Sequence, residues 1–224
     1  MTSQHRPVKP TSAPRTVVNA TAQPRPTSSL VLLLAGVPGV GKTTLGNALL
    51  GELGLTHHIS TGFLRAAIDG YLPPDQATLL RRHAFDAYEL LDDSVLSKDD
   101  HILQGAIAQT EILKPVIKTC IARARREGIG LVMEGSHFIP GVIDPAEFGA
   151  DLLCVLDVPD REELKARALS PNHLRRHLSD WDMERLVLLQ DQLLAMARLH
   201  NQPVVINIDL ADAVCHVRRL VEEL

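Results

Sequence analysis

Eight consecutive residues have the types and spacing that hold phosphate groups. Residues 36–43, Gly-Val-Pro-Gly-Val-Gly-Lys-Thr, match the pattern G-x-x-x-x-G-K-[ST] between an apolar run and a helical pattern. The glycines let the backbone turn tightly and aim its N–H groups inward, where they hold phosphate oxygens. In such a P-loop, Lys42 reaches the β- and γ-phosphates and Thr43 places its hydroxyl on Mg²⁺. We therefore predict ATP and Mg²⁺ as cofactors. The predicted nucleotide contacts in this loop are Gly36, Gly39, Val40, Gly41, Lys42, Thr43 and Thr44.

A carboxylate ends the third apolar run, Ile129–Glu134. Ligands of parallel sheets bind at the carboxyl ends of the strands, so we expect Glu134 to lie near the P-loop. There it would hold Mg²⁺ or orient the acceptor hydroxyl, and we predict Lys42 and Glu134 as catalytic residues. A solvated strand end is the alternative. His137 follows closely and either contacts the acceptor or caps the next turn.

Two further basic residues are predicted to contact the substrate. Arg65 lies on the helix after the second strand, and its guanidinium would match an acidic or phosphorylated acceptor. His83 belongs to a basic cluster in a helical insert, most of which we expect to face solvent. Together with His137, these residues form the predicted acceptor side of the site.

A basic stretch between Asp160 and Asp180 is predicted to be a hinged lid. Cationic side chains that close over the phosphates stabilise the transferred group and exclude water. Arg167 is predicted to be catalytic, whereas Arg175 and Arg176 are predicted to contact the nucleotide. An ordinary solvated helical face is the alternative.

The elements that position these residues alternate along the chain. Strands are predicted at 30–35, 57–60, 129–134, 152–157 and 203–207. Helices are predicted at 42–53, 74–91, 105–127, 181–199 and 209–224. Such alternation is typical of a parallel sheet with right-handed crossovers. We expect an α/β three-layer sandwich with a five-stranded parallel sheet, a helical insert and a lid.

The composition supports one folded domain with a short tail. The chain has 224 residues, of which 45% are hydrophobic, enough for a core without disulfides. Residues 1–27 are rich in Pro and Thr and are predicted to be disordered, whereas 28–224 form the P-loop domain. The net charge is −4, and since 1–27 contain four basic residues and no acidic one, the remainder carries −8.

These numbers also exclude several classes of protein. An acidic body argues against general nucleic-acid binding, which depends on neutralising phosphates. No run of 18 apolar residues is present, so we expect no membrane span. Three widely spaced cysteines and the lack of a signal-peptide pattern favour the cytoplasm. The sequence leaves open whether the chain forms a homodimer.

Several segments together resemble the 2-phosphoglycerate kinase family of P-loop kinases. They are 36–44, Ile59-Ser60-Thr61-Gly62-Phe63-Leu64-Arg65, Gln109, 133–141, 190–193 and 204–207. The most specific piece is E-G-x-H-x-x-P-G, which begins at Glu134, and the resemblance extends over roughly 30–215. It implies a nucleoside-monophosphate-kinase-like fold. It also implies phosphorylation of a small phosphorylated hydroxy acid with ATP and Mg²⁺.

The chain departs from the family pattern on the acceptor side. The family typically has S-T-D after its second strand, whereas Gly62 stands here at the position of the Asp. Asp69, Asp92 and Glu134 are the carboxylates available to replace it. Leu164 stands where the family has a His before the lid, whereas Arg167 is retained. An altered acceptor site beside an intact ATP site suggests a different acceptor.

These observations give one main hypothesis and two alternatives. The main hypothesis is an ATP-dependent kinase that phosphorylates a hydroxyl of a small polar, anionic metabolite similar to 2-phosphoglycerate. The first alternative is a P-loop phosphotransferase that acts on an antibiotic, a natural product or a nucleotide sugar. The second is a regulatory ATPase, with Asp157 or Glu134 as the acidic residue that follows an apolar strand.

Overall fold

One parallel sheet lies at the centre of the computed structural model, which describes residues 30–92, 100–170 and 178–224. Within these residues, five strands pair in the order β2-β3-β1-β4-β5, and every pairing is parallel. Their bounds are β1 (Val31–Ala35), β2 (His57–Ser60), β3 (Leu131–Gly135), β4 (Leu152–Asp157) and β5 (Val204–Ile206). The predicted five-stranded parallel sheet is confirmed.

The apolar run of β1 explains its central place. All five side chains, from Val31 to Ala35, are completely buried. Successive side chains of a strand point to opposite faces, so complete burial requires cover on both faces of the sheet. Each fully buried Leu or Val contributes about 1.5–3 kcal/mol relative to an exposed one. A continuous apolar run is therefore favoured here over an alternating one.

Eight α-helices are present in the described part of the chain. Their bounds are α1 (Lys42–Glu52), α2 (Thr61–Asp69), α3 (Pro74–Arg81), α4 (His101–Glu127), α5 (Pro145–Phe148), α6 (Arg161–Ala168), α7 (Asp180–Leu199) and α8 (Leu210–Glu222). Helix α1 contacts β1, β2 and β3 and packs against α8, whereas α7 contacts β4 and packs against α4. These two helix pairs cover the sheet, as the predicted three-layer arrangement requires.

The helical insert differs from the prediction of one helix over 74–91. Helix α3 ends at Arg81, and a separate 3₁₀ helix covers Ala87–Leu90. Arg82 is extended between them, with ψ 159°. The 3₁₀ helix packs so closely on α4 that a Cβ at Gly105 would lie 2.3 Å from the backbone nitrogen of Tyr88. Helical periodicity could not reveal this break, because tertiary contacts determine it.

The other element bounds agree with the prediction apart from short shifts. Helix α4 begins at His101, four residues before the predicted start, and continues through Pro115. The predicted tail, 1–27, and the predicted lid residues Arg175 and Arg176 lie outside the described residues. Of the helices that the structure describes, none combines the length and the apolar character needed to cross a membrane.

Candidate active site

The P-loop connects the end of β1 to the start of α1. Gly36, Gly39 and Gly41 have φ angles of 137°, 97° and 84°, which glycine adopts far more readily than other residues. At Gly41 a Cβ would also lie 2.3 Å from Nδ2 of Asn207. Helix α1 has no acidic residue in its first turn, so the positive end of its dipole meets the loop uncompensated. This backbone is suited to bind a phosphate chain.

Two buried amides brace the P-loop from behind. Gln190, on α7, accepts a hydrogen bond from the backbone N–H of Val37 at 3.2 Å and donates one to the carbonyl of Leu156 at 2.8 Å. Asn207, after β5, donates from Nδ2 to the carbonyl of Val40 at 2.7 Å. The sequence reasoning gave neither residue a role of its own. In the sequence, Gln190 stands out only as a polar residue on an otherwise apolar face of the predicted helix.

Three predicted residues meet where the P-loop opens into α1. Thr43 donates from Oγ1 to Oε1 of Glu134 at 2.9 Å. Lys42 donates from Nζ to the carbonyl of Val37 at 2.9 Å, and its Nζ lies 3.9 Å from Oε2 of Glu134. The register places Glu134 beside Leu34, because β3 is the neighbour of β1. The sheet therefore brings the carboxylate to the P-loop, as the strand-end argument predicted.

The oxygens at this point suit a magnesium ion. Mg²⁺ prefers oxygen ligands and is usually held by one or two protein groups together with substrate phosphates and waters. The Thr43 hydroxyl and the Glu134 carboxylate are such groups; they are hydrogen-bonded to each other, and both residues line the cavity. The residues present therefore fit a nucleotide-bound Mg²⁺.

Asp157, the other acidic residue considered for a regulatory ATPase, is engaged elsewhere. It lies at the end of β4, on the opposite side of β1 from Glu134. It accepts a hydrogen bond from Nη1 of Arg161 at 2.7 Å, and Nε2 of Gln190 lies 3.5 Å from the same oxygen. Thr43 bonds to Glu134 instead. The geometry therefore favours Glu134 as the acidic partner of the P-loop.

His137 is buried, and the protein itself occupies both of its ring nitrogens. Nδ1 lies 2.8 Å from Oγ1 of Thr61, and Nε2 lies 3.0 Å from Oε1 of Gln109. The Gln109 amide nitrogen donates to the carbonyls of Leu79 and Arg82, so its oxygen faces His137. The proton between His137 and Gln109 must therefore sit on Nε2, and Nδ1 accepts from the Thr61 hydroxyl. His137 lines the cavity as a neutral ring.

The pKa of His137 is lowered from 6.5 to about 3, first by burial and then by the nearby positive charges of Arg65 and Lys42. In the unfolded chain the ring takes up a proton below its ordinary pKa of 6.5, whereas the folded ring stays neutral. Stability is therefore lost as the pH falls from 6.5 towards 3.

Replacing His137 with Gln should flatten this dependence. We expect the free energy of unfolding of the natural chain to fall by up to about 1.4 kcal/mol for each pH unit from this group alone. His137→Gln lacks the titrating ring and should show a slope smaller by that amount, although its stability at neutral pH will be lower. Urea unfolding between about pH 5 and pH 7 measures both slopes. Equal slopes would contradict the neutral, buried state of His137.

The acceptor side of the cavity combines basic and aromatic side chains. The cavity has a volume of about 750 Å³, and Arg65, His83 and Phe63 line it together with the P-loop. Arg65 donates from Nη1 to the carbonyl of Arg82. The His83 ring stacks on that of Phe85, with centroids 5.0 Å apart. The structure therefore brings the predicted substrate residues Arg65, His83 and His137 to one cavity.

His58, which the sequence did not single out, also lines this cavity. Its Nδ1 lies 2.8 Å from Oδ1 of Asn47. Burial lowers the pKa of His58, although the charge of Glu134 acts in the opposite direction. The ring packs so closely on α1 that a Cβ at Gly46 would lie 2.7 Å from its Cε1. His58 therefore supports α1 behind Thr43.

Arg167 lies on α6 and lines the same cavity. It donates from Nε and Nη2 to Oε1 of Glu163, at 3.0 and 2.6 Å, and from Nη1 to the carbonyl of Asn207 at 2.8 Å. These contacts fix the guanidinium beside the loop after β5. Leu164, where the resemblance places a His, is completely buried in the core. The catalytic role of Arg167 stays a prediction.

Gly62 occupies the first turn of α2, where its N–H donates to Oγ of Ser60 at 3.2 Å. A Cβ at Gly62 would lie 3.3 Å from Oγ of Ser60. The φ angle of Gly62 is not positive, so other residues can adopt it. Gly62→Asp should therefore raise the free energy of unfolding by about 0.5–1 kcal/mol, because an acidic residue is favourable at a helix N-terminus.

Gly51, in the last turn of α1, provides the matched control. A side chain there meets no atom within 4 Å, but an acidic residue faces the negative end of the helix dipole. Urea unfolding of Gly51→Asp should show no gain in stability. A clear loss of stability in Gly62→Asp would mean that the fold itself requires glycine at this position.

No protein-family model matches the chain. Among solved structures, shikimate kinase from Bacteroides thetaiotaomicron has a TM-score of 0.49 at 16% identity, and the match covers 86% of this chain and 98% of that one. A gluconokinase from Sinorhizobium meliloti has a TM-score of 0.44 at 18% identity, with 87% and 95% covered. Because both TM-scores are below 0.5, these structures add nothing to the description of the fold given above.

Curated relatives at higher identity are small-molecule kinases by name. The 2-phosphoglycerate kinases of Pyrococcus horikoshii and Thermococcus kodakarensis are 28% and 29% identical to the chain over 191 and 192 residues, which are 84% and 83% of it. The mevalonate-3-phosphate 5-kinase of Thermoplasma acidophilum is 26% identical, and the match covers 62% of this chain and 67% of that protein. The chain spans 62% and 63% of the length of the two 2-phosphoglycerate kinases. The similarity to 2-phosphoglycerate kinases that the motifs indicated is therefore confirmed over most of the chain.

Proposed function

We propose that this chain is an ATP-dependent kinase that transfers the γ-phosphoryl group to a hydroxyl of a small anionic metabolite. The observation that carries the proposal is the contact of Lys42 and Thr43 with Glu134 at the mouth of the P-loop. It joins a phosphate-binding backbone, a cation and a metal-suited oxygen pair in one cavity. The same cavity extends to basic residues beyond the P-loop.

On the nucleotide side, the P-loop amides and Lys42 hold the phosphates in line with the acceptor. When bound, Mg²⁺ would neutralise negative charge on the phosphates. Thr43 and Glu134 are the groups that would hold it. Gln190 and Asn207 keep the loop carbonyls and amides in place by the hydrogen bonds described above. Because the transition state of phosphoryl transfer is loose, positioning and charge stabilisation provide most of the catalysis.

On the acceptor side, the substrate hydroxyl attacks the γ-phosphorus, the bond from this phosphorus to the β–γ bridging oxygen breaks, and ADP leaves. Glu134 is the acidic residue that lines the cavity in the described part of the chain, so it is also the candidate to accept the hydroxyl proton. Arg65 and His83 lie where they can hold an anionic group of the acceptor. A guanidinium matches carboxylate and phosphate alike.

The names of the relatives suggest two acceptors to test first, 2-phosphoglycerate and mevalonate 3-phosphate. Both are phosphorylated hydroxy acids. Purified protein should release ADP from ATP and Mg²⁺ faster with one of these, or with a related hydroxy acid, than with water alone. Lys42→Met serves as the control for contaminating kinases.

Other outcomes of this assay would replace the proposal. Turnover confined to antibiotics, natural products or nucleotide sugars would identify a phosphotransferase of a different substrate class. Hydrolysis that no acceptor accelerates would favour a regulatory ATPase. The position of Asp157, paired with Arg161 at 2.7 Å, gives that last class no support.

A further inference from the structure

Gln109 is a polar residue of α4 with no exposed surface. Its amide nitrogen donates to the carbonyls of Leu79 and Arg82, at 2.7 and 3.0 Å, and its oxygen accepts from His137 at 3.0 Å. Both N–H donors and the oxygen are therefore used. Leu79 and Arg82 lie at the end of α3, where helix carbonyls lack partners within the helix. The Leu79 carbonyl also accepts from the backbone N–H of Arg82 at 3.3 Å, so Gln109 adds to the hydrogen bonds of that helix end.

The hydrogen-bond chain continues from His137 towards the P-loop side of the site. His137 bonds to Thr61, the first residue of α2, at 2.8 Å. Thr61 in turn packs against the end of β3, where a Cβ at Gly135 would lie 1.8 Å from its Oγ1. Gly135 directly follows Glu134. One continuous set of buried contacts therefore joins the strand that carries the acidic residue to the end of α3.

The end of α3 is also where the acceptor side is built. Arg65 donates to the carbonyl of Arg82, the same oxygen that Gln109 holds. His83, the next residue, lines the cavity. We call Arg65 and His83 the acceptor wall. A shift of the Arg82 carbonyl would move both side chains of this wall relative to the P-loop.

We propose that Gln109 is a positioning residue that fixes the acceptor wall at a set distance from Glu134 through His137, Thr61 and the carbonyls at the end of α3. Its role for the acceptor rests on the proposed kinase function, whereas its role in holding α3 does not. Gln109 has no exposed surface and is not among the residues that line the cavity, whereas its partner His137 lines it. The effect of Gln109 must therefore appear in acceptor binding rather than in ATP binding.

Two substitutions separate the hydrogen bonds from the volume of the side chain. Gln109→Met keeps the length and removes every polar atom. Gln109→Glu keeps the shape and can still accept from His137, but as a carboxylate it cannot donate to the two carbonyls. The matched control is Gln76→Met, an exposed position on α3. Thr61→Val removes the hydrogen bond to His137, at the other end of the set of hydrogen bonds. It replaces the Gln109 variants in the experiment if both of them fail to fold.

The first measurement is hydrogen–deuterium exchange of the backbone, which needs no substrate. Loss of two hydrogen bonds should raise amide exchange over residues 79–85 by about tenfold or more in both Gln109 variants. Exchange in α1 and the affinity for MgADP should change by less than about twofold, since the P-loop keeps all its own contacts. Gln76→Met should leave amide exchange in both regions and the affinity for MgADP unchanged.

The second measurement is steady-state kinetics with whichever of the tested acceptors gives the fastest ADP release. KM for the acceptor should rise about tenfold, with a smaller change in kcat and in KM for ATP. If amide exchange rises only over residues 79–85 and KM for the acceptor does not change, Gln109 has no role in positioning the acceptor. Exchange raised equally throughout the domain would show that Gln109 is only a core residue. If no acceptor is turned over, the kinase proposal fails, and the exchange pattern still decides whether Gln109 holds the end of α3.

Discussion

Replacing Lys42 with Met should lower kcat/KM by about 10³-fold, because it removes the cation that meets the β- and γ-phosphates. Lys42 belongs to the P-loop and is the first residue of α1, and it lines the cavity with 9% of its surface exposed. A single donor to developing charge in a water-poor site typically contributes 10²–10³ in rate, roughly, and a full positive charge contributes more. Steady-state kinetics with the acceptor that gives the fastest ADP release measures the loss.

The fold should survive this change. Lys42 bonds to the Val37 carbonyl and lies 3.9 Å from Glu134, so its ion pair is a long one. Met keeps the aliphatic stem, and Glu134 keeps its bond to Thr43. We expect a loss of about 1–3 kcal/mol in the free energy of unfolding. The control is Lys114→Met, which removes an exposed pair with Glu111 and should leave turnover unchanged. Turnover within about tenfold of the natural chain would contradict the mechanism.

The nucleotide half of the site could be predicted because its signals are local. Eight consecutive residues define the P-loop, and the apolar run before it identifies a buried strand. Predicting the position of Glu134 required one further step, the rule that the carboxyl ends of parallel strands meet at one edge of the sheet. Strand pairing confirmed that step, since β3 is the neighbour of β1. The nucleotide half could therefore be predicted because its residues are close in sequence or are brought together by a regular sheet.

The acceptor half depends on contacts between residues far apart in the sequence. His137 was left between acceptor contact and turn cap, and its partners Gln109 and Thr61 are 28 and 76 residues away. The break after α3 was missed because Gln109 holds the carbonyls of Leu79 and Arg82, 30 and 27 residues before it. No local pattern encodes these pairs.

The braces behind the P-loop show the same limit. Gln190 bonds to Val37 across 153 residues, and Asn207 bonds to Val40 across 167. Each is a polar residue in an apolar surrounding, which marks it as unusual without showing its partner. Buried polar groups are nearly always paired, so such residues are worth naming in a sequence even where their partners are unknown.

Replacing Glu134 with Gln should lower kcat by about 10²-fold at saturating ATP, because it removes the negative charge beside Thr43. The amide can still accept from the Thr43 hydroxyl, which now bonds to Oε1 of Glu134 at 2.9 Å. The shape of the site is therefore kept while its charge changes. The control is Glu147→Gln, which removes an exposed pair with Lys118 and should have no effect on turnover.

The dependence on metal concentration decides which role Glu134 has. If the carboxylate helps to hold Mg²⁺, Glu134→Gln should need about tenfold more Mg²⁺ for half-maximal rate, and high Mg²⁺ should restore part of kcat. If it instead accepts the hydroxyl proton, the loss of kcat should be the same at every Mg²⁺ concentration. We expect the first result, because Glu134 is bonded to Thr43, the P-loop residue whose hydroxyl would hold Mg²⁺. A variant that keeps full activity would remove Glu134 from the mechanism.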